Sequence, residues 1–489
     1  MPEQVGPAWD RAVAFPLTEG RRSTSRFARA VVADALRPVD PLGAREAEGE
    51  THWRTGYPRH FRRLVEAGLP DPADAVTIAR AGLDAVHARM RWGGDGAEGP
   101  EVALADALAT RPRPMETEIV DGAAAREREL ALPWRGRVWQ GRDVRRRVFA
   151  WLNSGHLDPT CGEAVDKVLA NPDWLDLRDL TVVALGAGAE MGPVPWLLRW
   201  GADVVAVDRP GRQVWTPVLA GARRGAGRLI VPVTPDPGPL ADRAGIDLLT
   251  EPATAAAWLG ELPQEFVLGS YVHAEGALNV RLAAAVDALT AHVQRQRPGL
   301  ALAFLTSPTD VFAVPAEAVR LSVRAWDTSR VSRLVRGPMR AFTGGRLLTR
   351  NYVPGADPGI NDSVIVQQGP NYLLAQRIRR WRATVARAEG ATVSANVAPP
   401  TRTRSVLGNR ALAAAYVGAH RFGIEVFDPD TARALMALLL VHDLRAGRPA
   451  AAAPWQDEAY AAAHGGLWTT AYEPRSALGL AALLGLGPG

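Results

Sequence analysis

One cysteine, Cys161, is the only thiol in this chain of 489 residues. An internal disulfide is excluded, and so is a cysteine-rich metal site. Lysine is as scarce: Lys167 stands alone, and arginine makes up the rest of the 57 basic residues. No apolar run approaches the roughly 18 residues that a membrane-spanning helix needs. The run from Ala477 to Leu486 is too short and is broken by glycine, so a packed tail is expected there. The opening residues, MPEQVGPAWDRAVAFP, hold neither the basic nor the apolar segment of an export signal. A cytoplasmic protein without a membrane partner is expected.

The residues present suit a globular chain, with 22% charged and 47% hydrophobic side chains. The formal charge is +5, but the arginines are spread among Asp and Glu rather than gathered in one stripe. Their excess over lysine, with the richness in Ala, Gly and Pro, reads as coding bias, and no nucleic-acid partner is expected. The length suggests two or three domains, or one large domain with additions. Residues 1–177 read as a mostly helical region. Ala73–Arg91 and Gly141–Leu152 carry apolar residues at helical spacing, while Gly93–Pro100 and Arg111–Pro114 read as loops. Trp53, Trp92, Trp134, Trp139, Trp151 and Trp174 read as core anchors, or alternatively as the lining of an apolar ligand site.

At Leu180 the pattern changes. LTVVALGAGAEMGPVPWLLRWGADVVAVDRP reads as a buried strand over Thr181–Leu185, a glycine-rich turn, a helix over Gly192–Trp200 and a second strand over Asp203–Val207. Gly186, Gly188 and Gly192 would let backbone N–H groups approach a pyrophosphate, with Glu190 and Met191 in the same turn. Asp208, 22 residues after Gly186, closes the second strand and would accept hydrogen bonds from ribose hydroxyls. This is a nucleotide-binding βαβ opening. Asp208 favours NAD over NADP, because a carboxylate repels a 2′-phosphate; Arg209 and Arg212 follow at once and offset that preference. S-adenosylmethionine is an alternative ligand of the same turn.

Four more strands are expected, over Arg228–Val233, Glu265–Ser270, Leu300–Thr306 and Ala391–Val397, the last two entered from helices over Ala277–Gln296 and Asn371–Glu389. Alternating strands and helices predict an α/β fold, a doubly wound parallel sheet over residues 178–445. Asp310–Gly369 is too long for a connection and reads as an insertion, a lid or oligomer arm. Residues 446–489 read as a tail packed on the core.

The order of elements over Leu180–Leu444 resembles the short-chain dehydrogenase/reductase family. Gly186 and Gly192 of LGAGAEMG match the first and last glycines of the family's TGxxxGxG turn; Glu190 replaces the middle one. VLGSYVHAEG, with Gly269 and Ser270, loosely echoes its NAG strand end. Asn279 and Ser307, 28 residues apart, suit the family's Asn and Ser. NYLLAQR gives Tyr372 and Gln376 in place of YxxxK, and NVAPPTRT resembles the loop that follows. The resemblance implies a Rossmann fold, an NAD or NADP cofactor and oxidation or reduction at a carbonyl or alcohol carbon of a small molecule. It gives Tyr372 the proton transfer, Ser307 the substrate oxygen, Asn279 a water relay and Gln376 the place of a lysine that lowers the tyrosine pKa. A neutral Gln376 cannot do the last, which leaves open a nucleotide-binding protein without redox chemistry; a methyltransferase is a further reading.

Other residues at the expected sheet edge are weighed from their chemistry. Tyr271 and His273 of YVHAEG, with Glu275, form a candidate acid/base cluster; no metal site is expected from HxE alone. Asp310 reads as a loop or helix cap. His442 and Asp443 read as structural. RIRRWRATVAR reads as a solvated or ion-paired helix face, or as recognition of an anionic group, with Arg377, Arg379 or Arg380 a source of charge near Tyr372. A bulky, partly apolar substrate and a homo-oligomer are the remaining expectations.

Overall fold

The computed structural model describes residues 11–93, 100–328, 337–338, 341 and 343–486. The loop expected over 93–100 falls almost wholly outside them. The strands that matter are β1 (Glu116–Asp121), β2 (Thr181–Leu185), β3 (Asp203–Val207), β4 (Arg228–Val233), β5 (Val267–Ser270), β6 (Ala301–Thr306), the ribbon β7 (Val311–Val314) and β8 (Gly359–Asp362), and β9 (Val393–Val397). The main sheet has seven strands in the order β9-β6-β5-β2-β3-β4-β1. Six are parallel, and β1 closes one edge antiparallel to β4. Chain order reverses between β2 and β5, the switch point at which doubly wound sheets open a crevice for ligands. The fold is an α/β, Rossmann-like doubly wound sheet.

Period and burial explain the strands. VVAL of β2, VVAV of β3 and LIVPV of β4 are buried on both faces, as strands covered by helices on both sides must be. β1 was not expected: ETEIVD mixes charge with two apolar residues and has one buried side chain, so hydrophobic periodicity does not reveal it. It is an edge strand held by six pairings to β4.

The helices that flank the site are α1 (Thr24–Leu36), α2 (Pro72–Arg89), α3 (Pro159–Ala170), α4 (Val194–Arg199), α5 (Gly276–Gln296), α6 (Gly369–Ala388), α7 (Arg410–Gly418), α8 (Pro429–Arg445) and α9 (Pro474–Leu486). α5 and α6 cover one face of the sheet, and α2 packs on α6 with α1 outside it. One apolar core runs from Val31 and Phe61 through Ile378 and Trp381 to Val183 and Val205. The other face is covered by α3, α4 and α8, in a second core that joins Trp151, Val165, Val182, Val204 and Leu438. Residues before 177 therefore build their apolar contacts against the sheet.

Trp134 and Trp151 meet edge to face at 5.0 Å and both pack on Phe427, and neither lines the cleft described below. The ligand-lining reading of these tryptophans is corrected: they anchor the core. The 310–369 segment, read as an insertion, has secondary structure of its own among its described residues. It holds the β7–β8 ribbon and a helix over Ala316–Thr328. α9 crosses α7 closely, because a Cβ on Gly418 would lie 2.0 Å from the Ala481 carbonyl oxygen. Its far end exposes Leu483 and Leu486, so the tail packs by one face only.

His464 illustrates how burial here sets pH response. It is buried, stacks on Trp468 at 4.8 Å, and its Nδ1 accepts from the Gly466 N–H at 3.1 Å. Burial pushes its pKa down from 6.5 to about 3. The unfolded chain takes up a proton near 6.5 that the folded chain refuses. The associated stability is intact above pH 6.5 and is lost as the pH falls toward 3, on the order of 4 kcal/mol in all. Urea denaturation of the wild type and His464→Phe at pH 7 and pH 4 should show a smaller acid loss in the variant. Equal losses would mean that other groups govern acid sensitivity.

Candidate functional site

At the carboxyl ends of the strands lies a cleft of about 880 Å³. Its walls come from the turn after β2 (Ala189 to Met191), the end of β5 and its loop (Ser270 to Gly276), the end of β6 (Leu305 to Thr309), the start of α6, the 398–405 loop and the start of α7. Parallel strands converge their ends on one side of the sheet, so residues remote in sequence meet there.

Tyr372 and Ser307 meet on this cleft. The Tyr372 hydroxyl donates to Ser307 Oγ at 2.7 Å, across 65 residues of sequence. Ser307 Oγ lies 2.9 Å from Thr309 Oγ1, which donates to Gln368 Oε1 at 2.8 Å. With Thr309 donating onward and Ser307 accepting from tyrosine, the chain has one direction, from Tyr372 through Ser307 and Thr309 to Gln368. Gly369, with φ +78°, lets the backbone turn from Gln368 into α6, so that Tyr372 sits in the first turn of α6.

The other candidate residues divide between the cleft wall and the core. Gln376, one turn beyond Tyr372, lines the cleft with its Oε1 buried and unpartnered. Asn279 is buried in α5; its Oδ1 accepts from the Ala274 N–H at 3.4 Å, its Nδ2 has no partner, and it is not on the cleft wall. Tyr271 lines the cleft with its ring in the α8-side core and its hydroxyl unpartnered. Burial raises its pKa far above 10, so it is a neutral phenol. Gly269 lies under that ring: a Cβ there would meet Tyr271 Cε2 at 2.5 Å, so packing requires the glycine. Ser270 is buried, with its Oγ unpartnered, at the cleft floor. His273 opens to the cleft interior and meets the Tyr372 ring edge to face at 6.1 Å. The low-polarity walls, and then the Arg379 charge, hold its pKa below 6.5.

Three arginines of α6 are ion-paired rather than solvated. Arg377 donates to Asp310 Oδ1 at 3.0 Å, Arg380 to Asp310 Oδ2 at 2.6 Å and to Glu458 at 2.6 Å, and Arg382 to Asp287 at 2.8 Å. All of these groups are buried or nearly so. Asp310 is therefore the fully buried centre of an ion cluster, not a cap. His442 and Asp443 are buried in α8, where Asp443 accepts from Ser394 and Asn396 of β9.

The glycine-rich turn has the expected strand-turn-helix frame, though α4 starts two residues later than the spacing predicts. Gly186 takes φ +89°, and a Cβ there would lie 2.8 Å from the Val272 nitrogen; no side chain fits. Asp208 accepts from the Gly188 N–H at 2.9 Å and from the Arg209 N–H at 2.8 Å, while burial raises its pKa. Gly188 packs on Val214, and Gly192 on Ala189. Arg212 is held by Asp242. Of the turn, Ala189, Glu190 and Met191 line the cleft, whereas Gly186, Gly188, Gly192 and Asp208 lie outside its wall. Glu190 places a carboxylate in the turn, where it accepts from the Arg404 N–H at 3.0 Å and pairs with Arg404 Nε at 3.5 Å. That charge opposes a diphosphate, and its ion pair offsets part of the opposition.

Sequence reasoning missed Thr309 and Tyr416 on the cleft wall. Thr309 follows Ser307 by two residues; Tyr416 carries no local signal. Among the described residues no group of three or more His, Cys, Asp or Glu side chains gathers to hold a metal ion. No described helix is long and apolar enough to cross a membrane.

No protein-family model matches the chain, and no curated protein matches it. A solved structure of A-type ketoreductases from a modular polyketide synthase is similar at 16% identity and a TM-score of 0.30, over 57% of this chain and 52% of that one. The chain thus spans about half the length of that structure, and the likeness concerns the fold.

Proposed function

We propose that the protein is an NAD(P)-dependent oxidoreductase of short-chain dehydrogenase type that reduces a carbonyl, or oxidises the corresponding alcohol, of a small molecule. The observation that carries this reading is the Tyr372–Ser307 hydrogen bond at the carboxyl edge of the sheet. In the reduction, the substrate oxygen enters between the two hydroxyls; Tyr372 turns its O–H from Ser307 to that oxygen, and Ser307 turns its own from Thr309. Ser307 orients the oxygen. Tyr372 transfers its proton as negative charge develops on the oxygen. A bound nicotinamide would supply hydride to the carbon. Gly186, Gly188, Gly192 and Asp208 would hold its nucleoside half, and Ser270 and Gln376 offer unfilled polar atoms toward its other half.

Calorimetric titration with NADH, NADPH and S-adenosylmethionine tests the reading. One nicotinamide form should bind. Glu190→Gln should tighten it by roughly three- to tenfold, because one like charge beside the diphosphate is removed. Binding of S-adenosylmethionine alone would overturn the reading in favour of methyl transfer. A folded sample that binds none of the three would make the protein a Rossmann scaffold without cofactor. Asp208→Ala should weaken nicotinamide binding in parallel.

A further inference from the structure

Every buried arginine of α6 described so far has an acidic partner, except one. Arg377, Arg380 and Arg382 are neutralised by Asp310, Glu458 and Asp287. Arg379 is equally buried, yet among the described residues no carboxylate lies within salt-bridge distance of it. Its Nη2 donates to a neutral group, the Val272 carbonyl, and its Nε has no partner. It lies on the cleft wall, one turn beyond Gln376, and its charge helps to lower the His273 pKa. The acids of the cleft are engaged elsewhere: Glu190 with Arg404, and Glu275 with Ser405.

A buried, unpaired guanidinium is costly, and an anion arriving in the cleft would relieve that cost. Burial lowers the Arg379 pKa to about 10, so it is still a cation at neutral pH. A planar guanidinium with N–H groups to spare matches a carboxylate, which accepts two parallel hydrogen bonds.

We propose that Arg379 is a carboxylate-recognition site in the cleft wall, and that the ligand of this cleft is an acid whose carbonyl or hydroxyl carbon lies beside Tyr372. This rests on the functional reading above for the reacting carbon only; the anion site stands without it. The remainder of the ligand is apolar and small. A cavity of about 50 Å³ adjoins the cleft through Thr309, Pro400 and Tyr416, and is walled by Val364, Ile365 and Phe422. That space holds a short alkyl group and no ring.

The test measures binding, not turnover. The full-length protein is titrated by calorimetry with α-ketoisocaproate, with pyruvate and with the uncharged amide of each. The wild type should bind each acid roughly ten- to a hundredfold more tightly than its amide, the range for a charge-assisted hydrogen bond. In Arg379→Met that ratio should fall to near one. Arg379→Lys should give an intermediate ratio, since it keeps the charge and loses the planar fork. Should the methionine variant fail to fold, the lysine variant and the wild-type ratio still decide. Equal binding of acids and amides by the wild type, absence of binding by all four, or an unchanged ratio in the folded variants overturns the proposal. Inorganic phosphate is the second arm: Arg379-dependent binding tighter than that of the acids would make the ligand a phosphate ester and overturn the carboxylate assignment. Failure of nicotinamide binding with retention of the acid preference would sink the redox reading and leave the anion site standing.

Discussion

Tyr372→Phe is expected to lower turnover by roughly a hundred- to ten-thousandfold, the span of a lost general acid, and to leave cofactor affinity within about twofold. The substitution removes one oxygen. That oxygen is the donor to Ser307 at 2.7 Å and the head of the chain through Thr309 to Gln368. Nothing in the first turn of α6 depends on it for folding. The assay is nicotinamide oxidation over a panel of small ketones and keto acids. Ser307→Ala should reduce activity less, because Tyr372 still reaches the substrate oxygen. A Phe variant with full activity would remove Tyr372 from the chemistry and leave its hydrogen bond as a packing detail.

The second large effect concerns Asp310. Asp310→Ala should destabilise the fold by about 3–5 kcal/mol, the usual result of removing one partner from a buried ion cluster. Asp310 is fully buried and accepts from Arg377 at 3.0 Å, from Arg380 at 2.6 Å and from the Val311 N–H at 2.7 Å. Its loss strands two guanidinium groups, only one of which retains Glu458. The cluster also ties the loop that carries Ser307 to the helix that carries Tyr372. Activity should therefore fall even at temperatures where the variant is folded, as the two hydroxyls lose their common reference. Urea denaturation gives the stability change. A loss below about 1 kcal/mol would show that the cluster is not needed to hold α6 in register.

How much of this was legible in the chain depends on the range of the forces involved. The six parallel strands could be placed to within two residues, because a strand buried on both faces must be apolar throughout, as VVAL and VVAV are. The glycine-rich turn could be placed because φ +89° at Gly186 demands glycine in any fold. β1 could not, since an edge strand needs only backbone pairing and one buried side chain. Trp134 and Trp151 could be read as anchors or as a ligand lining, and only packing against Phe427 decided it.

The candidate site divides in the same way. Tyr372, Ser307 and Gln376 were legible as residue types at spacings that suit a known chemistry. Arg379 was one of three arginines within two turns of Tyr372, and no local pattern chooses among them. The choice falls to Asp310, Glu458 and Asp287, which reach α6 from distant segments and neutralise its other buried guanidinium groups. By itself the sequence determined the alternation of strands and helices, the nucleotide-type turn and the residue types available for proton transfer, because these follow from local periodicity and backbone sterics. Tertiary structure alone decided which tyrosine meets which serine and which arginine is left unpaired, because hydrogen bonds and ion pairs act over a few ångströms between residues far apart in the chain.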